Sequence, residues 1–575
     1  MMTPGPKLRF SDHLHGEKYR QPGESFAQAM VRVANALKDD NTHGGQFRDI
    51  LLDMRFMPAG RVQAAMGAEK QVTPYNCYVS GTIEDSFVDG EGCIMDRAKE
   101  SAATMRMGGG IGYDFSTLRP RGALIRKLHS HSTGPVSFMN IFDAVCKNVA
   151  SSGHRRGAQM GVLRIDHPDI FEFIQAKQNV TNLTGFTLSI AVTDRFMECL
   201  ATGRPFDLVW GGEVYRTVDP AELWSAVMDS TWDWGEPGVL FIDTINRRNN
   251  LWYCENIAAT NPCGEQPLPA FGACLLGSFN LTEYMRKDLV GWSFDWDLFR
   301  WDIPVVVRAM DNVVDRAIYP LIRQRDEAWN KRRMGLGVTG LTNAAEAMGM
   351  LYGSKRFLEF EQKVLETLSH QSYLASADLA ADKGSFPMFD EDKFLTGEFA
   401  RELPDDVRAA IEANGLRNSH LTSIAPTGTI SMCADNVSSG IEPVFAYETT
   451  RKVHMPEGLI EVDLPDYGWG TFGVKGKIAM EVTAQEHIDV LAVASKLVDS
   501  AVSKTCNVDG RMPRDQFAGL YIQAWERGAK GCTTFNSDGK RMGILMAKPA
   551  KADEPEVVEG AACAFDPATG QRECG

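Results

Sequence analysis

Asn261-Pro262-Cys263-Gly264-Glu265 sets an amide, a thiol and a carboxylate within five residues, and Cys274 follows eleven residues after the first cysteine. Pro262 and Gly264 favour a tight turn, which brings those three groups together. They are a hydrogen-bond donor and acceptor, a sulfur able to lose a hydrogen atom, and a potential base. A second segment, Pro426-Thr427-Gly428-Thr429-Ile430-Ser431, offers three hydroxyls and a glycine that lets backbone amides approach an anion. It reads as a phosphate cradle ahead of a helix.

Other patterns carry less. GLGVTG at 335–340 meets the G-x-G-x-x-G spacing, but DEAWNKRR before it is not the apolar strand a dinucleotide fold requires. MGGGIG at 107–112 lacks the following helix signature. Twelve cysteines, at 77, 93, 146, 199, 254, 263, 274, 433, 506, 532, 563 and 574, form no CxxC and no CxxxCxxC. A zinc ribbon and a radical-SAM iron–sulfur cluster are therefore not expected, nor is any protein-held metal. Redox cysteines must meet through the fold.

The elements that position these groups belong to a chain of 575 residues, 44% hydrophobic, enough for a large continuous core. Net charge of −15 and a pI near 5.3 argue against an extended nucleic-acid or anionic-membrane surface. No apolar run reaches transmembrane length and no signal peptide precedes Leu8, which points to the cytoplasm. Phe26, Met30, Val31, Val33, Ala34 and Leu37 predict an amphipathic helix within Glu24–Lys38. Phe186, Leu188, Ile190 and Val192 alternate as in a strand, with Thr193 placed to cap a helix from Asp194. Phe138, Phe142, Val145 and Val149 give residues 135–150 one apolar helical face, which needs a partner. After Met546 the sequence is rich in Ala, Pro and Glu and reads as a flexible tail. Met546 to Cys563 spans at most roughly 60 Å when extended, so a tail cysteine can visit a buried site.

NPCGEQPLPAFGACLLGSFNL resembles the radical-cysteine loop of ribonucleotide reductases. The likeness continues through YNCYVSGTIEDS at 75–86, MGGGIGYDFSTLRPRG at 107–122, RRGAQMGVLRIDHPDIFEFI at 155–174, RRMGLGVTGL at 332–341 and APTGTISMCADNVSSGIEPVFA at 425–446. It covers most of the chain in family order. The resemblance implies an α/β fold, a ten-stranded barrel of two five-stranded parallel halves with Cys263 on a central finger loop. A helical N-terminal segment (1–55), the barrel (56–545, with effector and dimer helices near 95–150) and a redox tail (546–575) would follow one another. Cys263 would be the thiyl radical that takes the ribose 3′ hydrogen, Glu265 the base for the 3′-hydroxyl, and Asn261 a holder of the ribose hydroxyls. Cys77 and Cys274 would supply the electrons, which requires them within disulfide reach, about 6 Å between Cα atoms. Thr427, Gly428, Thr429 and Ser431 would contact the substrate phosphates, with the overall pattern closer to the diphosphate-reducing branch.

Residues 151–161 resemble the loop that senses a deoxynucleotide effector, so Arg155, Arg156 and Asp85 are effector candidates at a homodimer interface formed by the helix over 135–150. Cys563 and Cys574 resemble the shuttle pair recharged by thioredoxin or a relative, although they are not closely spaced. KGCTTFNSDGKR at 530–541 lacks the stacked tyrosines of large chains that depend on a separate radical-bearing subunit. The resemblance therefore favours adenosylcobalamin as the radical source. A large subunit with a separate radical-generating partner is the alternative. No D-x-H-x-x-G is present, so no histidine is expected to displace the cofactor's own base. Residues 1–55 are shorter than the family's ATP-cone module, so no overall ATP/dATP switch is expected. Two rival classes are cysteine acyl transfer, which needs a histidine at Cys263, and a nucleotide sensor without turnover, against which the joint presence of Asn261, Cys263, Glu265, Cys77 and Cys274 speaks.

Overall fold

A computed structural model describes residues 4–151, 155–156, 158–179, 181–455, 458–536, 538–540, 564–566 and 571–573. The N-terminal segment is helical as expected: α1 (Arg9–Tyr19), α2 (Phe26–Leu37) and α3 (Asn41–Leu52). Ser25 and Gln28 close a capping box at the start of α2, with Gln28 N donating to Ser25 Oγ at 3.3 Å and Ser25 N to Gln28 Oε1 at 2.8 Å. Phe26, Met30, Val33, Ala34 and Leu37 are buried, while Val31, one step off that face, is exposed.

β1 (Phe56–Pro58) and the short α4 (Gly60–Ala65) lead into β2 (Cys77–Val79), α5 (Ile94–Arg106), β3 (Gly110–Asp114) and α6 (Pro135–Asn148). β2, β3 and the strands Gln159–Arg164, Phe186–Val192 and Gly238–Phe241 run parallel, in that order, in one sheet. Ala273–Cys274 pairs antiparallel with β2 at one edge. At the other, Gly531–Asn536 pairs antiparallel with Gly238–Phe241 and parallel with Thr505–Val508. All seven residues of Phe186–Val192 are buried, as expected of a central parallel strand covered on both faces. Thr193 caps the following helix by accepting from Phe196 N at 3.2 Å.

A second, three-stranded sheet holds β1, Leu276–Asn280 antiparallel to it, and Gly335–Thr339 parallel to Leu276–Asn280. Leu336 bridges to Thr422 and Ile424 to Val502, both parallel. Residues 273–280 thus pair with β2 at one end and with Gly335–Thr339 at the other. The glycine-rich GLGVTG run is itself a buried strand, which accounts for its failure as a dinucleotide loop.

On α6 the side chains driven into the core are Met139, Phe142, Asp143 and Cys146. Phe138, Val145 and Val149 stay half-buried, and the exposed Phe87 lies against Phe138 with ring centroids 6.1 Å apart. Among the described residues no helix is long and apolar enough to cross a membrane.

Candidate active site around Cys263

A two-residue β-ladder, Ala259–Thr260 against Pro267–Leu268, forms the neck of a finger whose tip is residues 261–266. The tip closes on itself: Asn261 N donates to Gln266 O at 3.1 Å, Gln266 N to Asn261 Oδ1 at 3.0 Å, and Gly264 N to Asn261 O at 3.1 Å. From outside, Ser423 Oγ and Ala501 N donate to Glu265 O at 3.0 and 2.9 Å, tying the finger to two neighbouring segments. β3 passes close beneath: a methyl group on Gly112 would collide with the carbonyl oxygen of Thr260.

Asn261 and Glu265 are buried and Cys263 is half-buried. Asn261 Nδ2 donates to Glu265 Oε1 at 2.8 Å. Glu265 Oε2 is also buried and has no hydrogen-bond partner among the described residues. Burial pushes the Glu265 carboxyl up to about 7, against a smaller lowering by the Asn261 amide. A carboxyl held near neutrality is suited to take a proton from a substrate hydroxyl.

The two cysteines that sequence could not bring together are direct neighbours. Cys274 is the antiparallel register partner of Cys77. Directly opposed residues of an antiparallel pair have Cα atoms about 4.5–5.5 Å apart, inside the range a disulfide requires. Both thiols are free and buried. Burial, reinforced by the Glu265 charge, pushes the Cys77 thiol up to about 12 and raises Cys274 as well. The Asn261 side chain offsets part of that rise at Cys77, so the finger and the dithiol are neighbours.

Cys77, Cys263 and Glu265 open on a cavity of about 150 Å³ lined also by Asn76, Ser278 and the turn 425–430. Thr427 has φ of 56° and begins the helix Gly428–Cys433, as the phosphate-cradle reading expects. Its hydroxyl, however, accepts from Gly440 N at 2.8 Å and meets Thr339 Oγ1 at 3.1 Å. Ser431 Oγ donates to Gly428 O at 2.9 Å and meets Ser439 Oγ at 2.8 Å. Those two hydroxyls brace the turn from behind. Sequence reasoning missed three cations that line the same cavity, Lys18, Arg61 and Lys70. They come from three separate places in the chain, and no local pattern marks them.

On the other side of Cys263 lies a smaller cavity, about 30 Å³, lined by Gly264, Ser503, Lys504, Thr505, Cys532 and Thr533 among others. No histidine lines either cavity among the described residues, which removes the acyl-transfer reading's activating base. Asp85 is engaged by Arg119, accepting from its backbone N at 3.0 Å and from its Nε at 2.7 Å. Arg155–Arg156 forms a two-residue strand antiparallel to Ala150–Ser151, directly after α6. Cys563 and Cys574 lie outside the described residues.

A finger carrying Asn, Cys and Glu beside a cross-strand dithiol in a mixed α/β scaffold has the make-up of a dithiol oxidoreductase site. The family model for the ribonucleotide reductase barrel domain matches residues 76–465 and 475–535. The chain belongs to the ribonucleotide reductase family. It is 33% identical to the vitamin B12-dependent ribonucleoside-diphosphate reductase of Mycobacterium tuberculosis (strain CDC 1551 / Oshkosh), over 93% of this chain and 79% of that one. A protein of the same description from Thermoplasma acidophilum is 31% identical over 89% of this chain and 68% of its own. The vitamin B12-dependent ribonucleotide reductase of Rhodopirellula baltica is 28% identical over 85% and 54%.

Proposed function

We propose that this chain reduces ribonucleoside diphosphates to 2′-deoxyribonucleotides by thiyl-radical chemistry and depends on adenosylcobalamin. The observation that carries the reading is Cys77, the register partner of Cys274, lining one cavity together with Cys263 and Glu265 of the finger tip. Cys263, as a thiyl radical, takes the 3′ hydrogen atom, and Glu265 takes the 3′-hydroxyl proton while Asn261 holds the ribose hydroxyls. The 2′-hydroxyl leaves as water with a proton from Cys77, the member of the pair that lines the cavity. Cys77 and Cys274 give two electrons and two protons in all and end as a disulfide, and Cys263 returns hydrogen to C3′. The amides of residues 428–430 receive the substrate phosphates on the turn that Thr427 and Ser431 brace, with Thr429 beside them.

Adenosylcobalamin supplies, when bound, the carbon radical that oxidises Cys263. Ser503, Thr505 and Thr533, small hydrogen-bonding side chains around the smaller cavity, would meet its adenosyl group, for which a cavity of about 30 Å³ would have to widen. The strand pairings support a ten-stranded barrel of two five-stranded halves. The first half is β2 to Gly238–Phe241; the second runs from residues 273–280 through Gly335–Thr339, 422–424 and 502–508 to Gly531–Asn536. It occupies residues 56–545, between the helical segment 1–55 and the tail 546–575. The half-buried row Phe138, Val145 and Val149 beside exposed Phe87 supports a homodimer interface on α6. Asp85, Arg155 and Arg156 at that interface would sense a deoxynucleotide effector and couple it to substrate choice.

Cys563 and Cys574 would re-reduce the Cys77–Cys274 disulfide and be recharged by thioredoxin. Support comes from the strand Gln571–Glu573, between the two tail cysteines, which packs against the helix Gly428–Cys433. Cys563→Ser is expected to stop turnover with thioredoxin and largely spare it with dithiothreitol; equal loss with both reductants removes the shuttle role.

The function itself is tested by anaerobic conversion of CDP to dCDP by the purified chain with dithiothreitol and an effector dNTP. Product with adenosylcobalamin and none without it is the expected result. Product only after a metal-loaded partner protein is added would overturn the cofactor assignment.

A further inference from the structure

We infer that Arg61 is a specificity-determining residue that binds the terminal phosphate of the substrate, so that the cavity selects a nucleoside diphosphate over a monophosphate. The inference rests on the proposed function and names how its site reads phosphate number.

The charge requirement comes first. A helix N-terminus offers an anion an equivalent of only about half a unit of positive charge. The turn 427–431 adds little more, because the Thr427 and Ser431 hydroxyls are spent on Gly440, Thr339, Gly428 and Ser439. A multiply charged pyrophosphate group therefore needs side-chain cations, the more so because Glu17 and Glu265 line the same cavity. Lys18, Arg61 and Lys70 are the cations in that lining.

Arg61 is singled out by how it is seated. It stands on α4, half-buried, where Lys18 and Lys70 are exposed on the rim. Its guanidinium lies against the backbone of Gly108: a methyl group there would come within 2.5 Å of Cζ and 2.7 Å of Nη2. Gly108 has φ of +95°, a conformation that side chains rarely adopt, so the position stays open beside the guanidinium. The first glycine of the MGGGIG run, which its own φ requires, leaves the space that the Arg61 guanidinium fills. Arg61 shares the lining of the cavity with the turn 425–430 and with Cys77. A planar fork of N–H donors matches phosphate oxygens two at a time, and a lysine in the same seat would act only as a point charge.

The test is equilibrium binding by calorimetry, with the full chain, no adenosylcobalamin and hence no turnover, using CDP, CMP and cytidine as the ligands. Arg61→Gln is expected to weaken CDP by roughly 10- to 100-fold, the range of a lost charge-assisted hydrogen-bond pair. CMP and cytidine should change by less than about threefold, and Arg61→Lys should recover part of the CDP loss. Equal weakening of all three ligands would mean a collapsed cavity and overturn the inference, as would unchanged CDP binding. Failure of the proposed function is read separately, by the absence of dCDP from the unaltered chain with cofactor and reductant.

Discussion

Cys263→Ala should bring dCDP formation down by roughly 10⁴-fold or more, to the detection floor, while CDP affinity stays within about twofold of the unaltered chain. The size of the effect follows from the geometry. Among the described residues Cys263 is the one sulfur that borders both cavities, one with Cys77 and Glu265 and the other with Lys504 and Cys532. No other described group can relay a hydrogen atom between them. Binding survives because the tip is held by Asn261, Gln266, Ser423 and Ala501, none of which uses the Cys263 side chain. Parallel turnover and calorimetry check both halves. A variant that retains a tenth of the activity would remove Cys263 from its role.

Glu265→Gln should cost roughly 10²- to 10⁴-fold in kcat, the usual worth of a positioned general base, and make the protein more stable above neutral pH. For activity, the base must be ionised, so kcat/KM should rise with pH through about 7 in the unaltered chain and lose that limb in the variant. For stability, the folded carboxyl titrates at about 7 against 4.5 ordinarily, so the folded state holds its proton more tightly than the unfolded state. Ionisation therefore costs stability as pH rises from 4.5, and the whole cost, up to about 3 kcal/mol, is present above pH 7. Gln cannot ionise, and it keeps the acceptor for Asn261 Nδ2. Denaturant midpoints should diverge at pH 8 and converge at pH 5. The same difference at both values would contradict a strained, buried base.

The parts of this site that were legible in sequence are those made by neighbours in the chain. Pro262 and Gly264 announce the turn that gathers Asn261, Cys263 and Glu265, and the alternation at 186–192 with Thr193 announces a strand feeding a helix. The pairing of Cys77 with Cys274 was expected only through the family likeness, since nearly two hundred residues separate them and register is a property of the assembled sheet. The phosphate turn shows a subtler limit. Its position before a helix was legible, but the direction of the Thr427 and Ser431 hydroxyls depends on Thr339, Ser439 and Gly440, which arrive from elsewhere. Arg61 shows the same limit, because no local pattern marks it and only the fold brings it to the cavity and to Gly108.

In the proposed reaction the cross-strand pair Cys77–Cys274 supplies the electrons for each reduction. This is tested by a single turnover without external reductant, on a chain with both Cys563 and Cys574 replaced by Ser, loaded with adenosylcobalamin and CDP. One dCDP per chain, matched by a disulfide that mass spectrometry assigns to Cys77 and Cys274, is the predicted result. Product without that disulfide, or with one joining other cysteines such as Cys506 and Cys532, would contradict it.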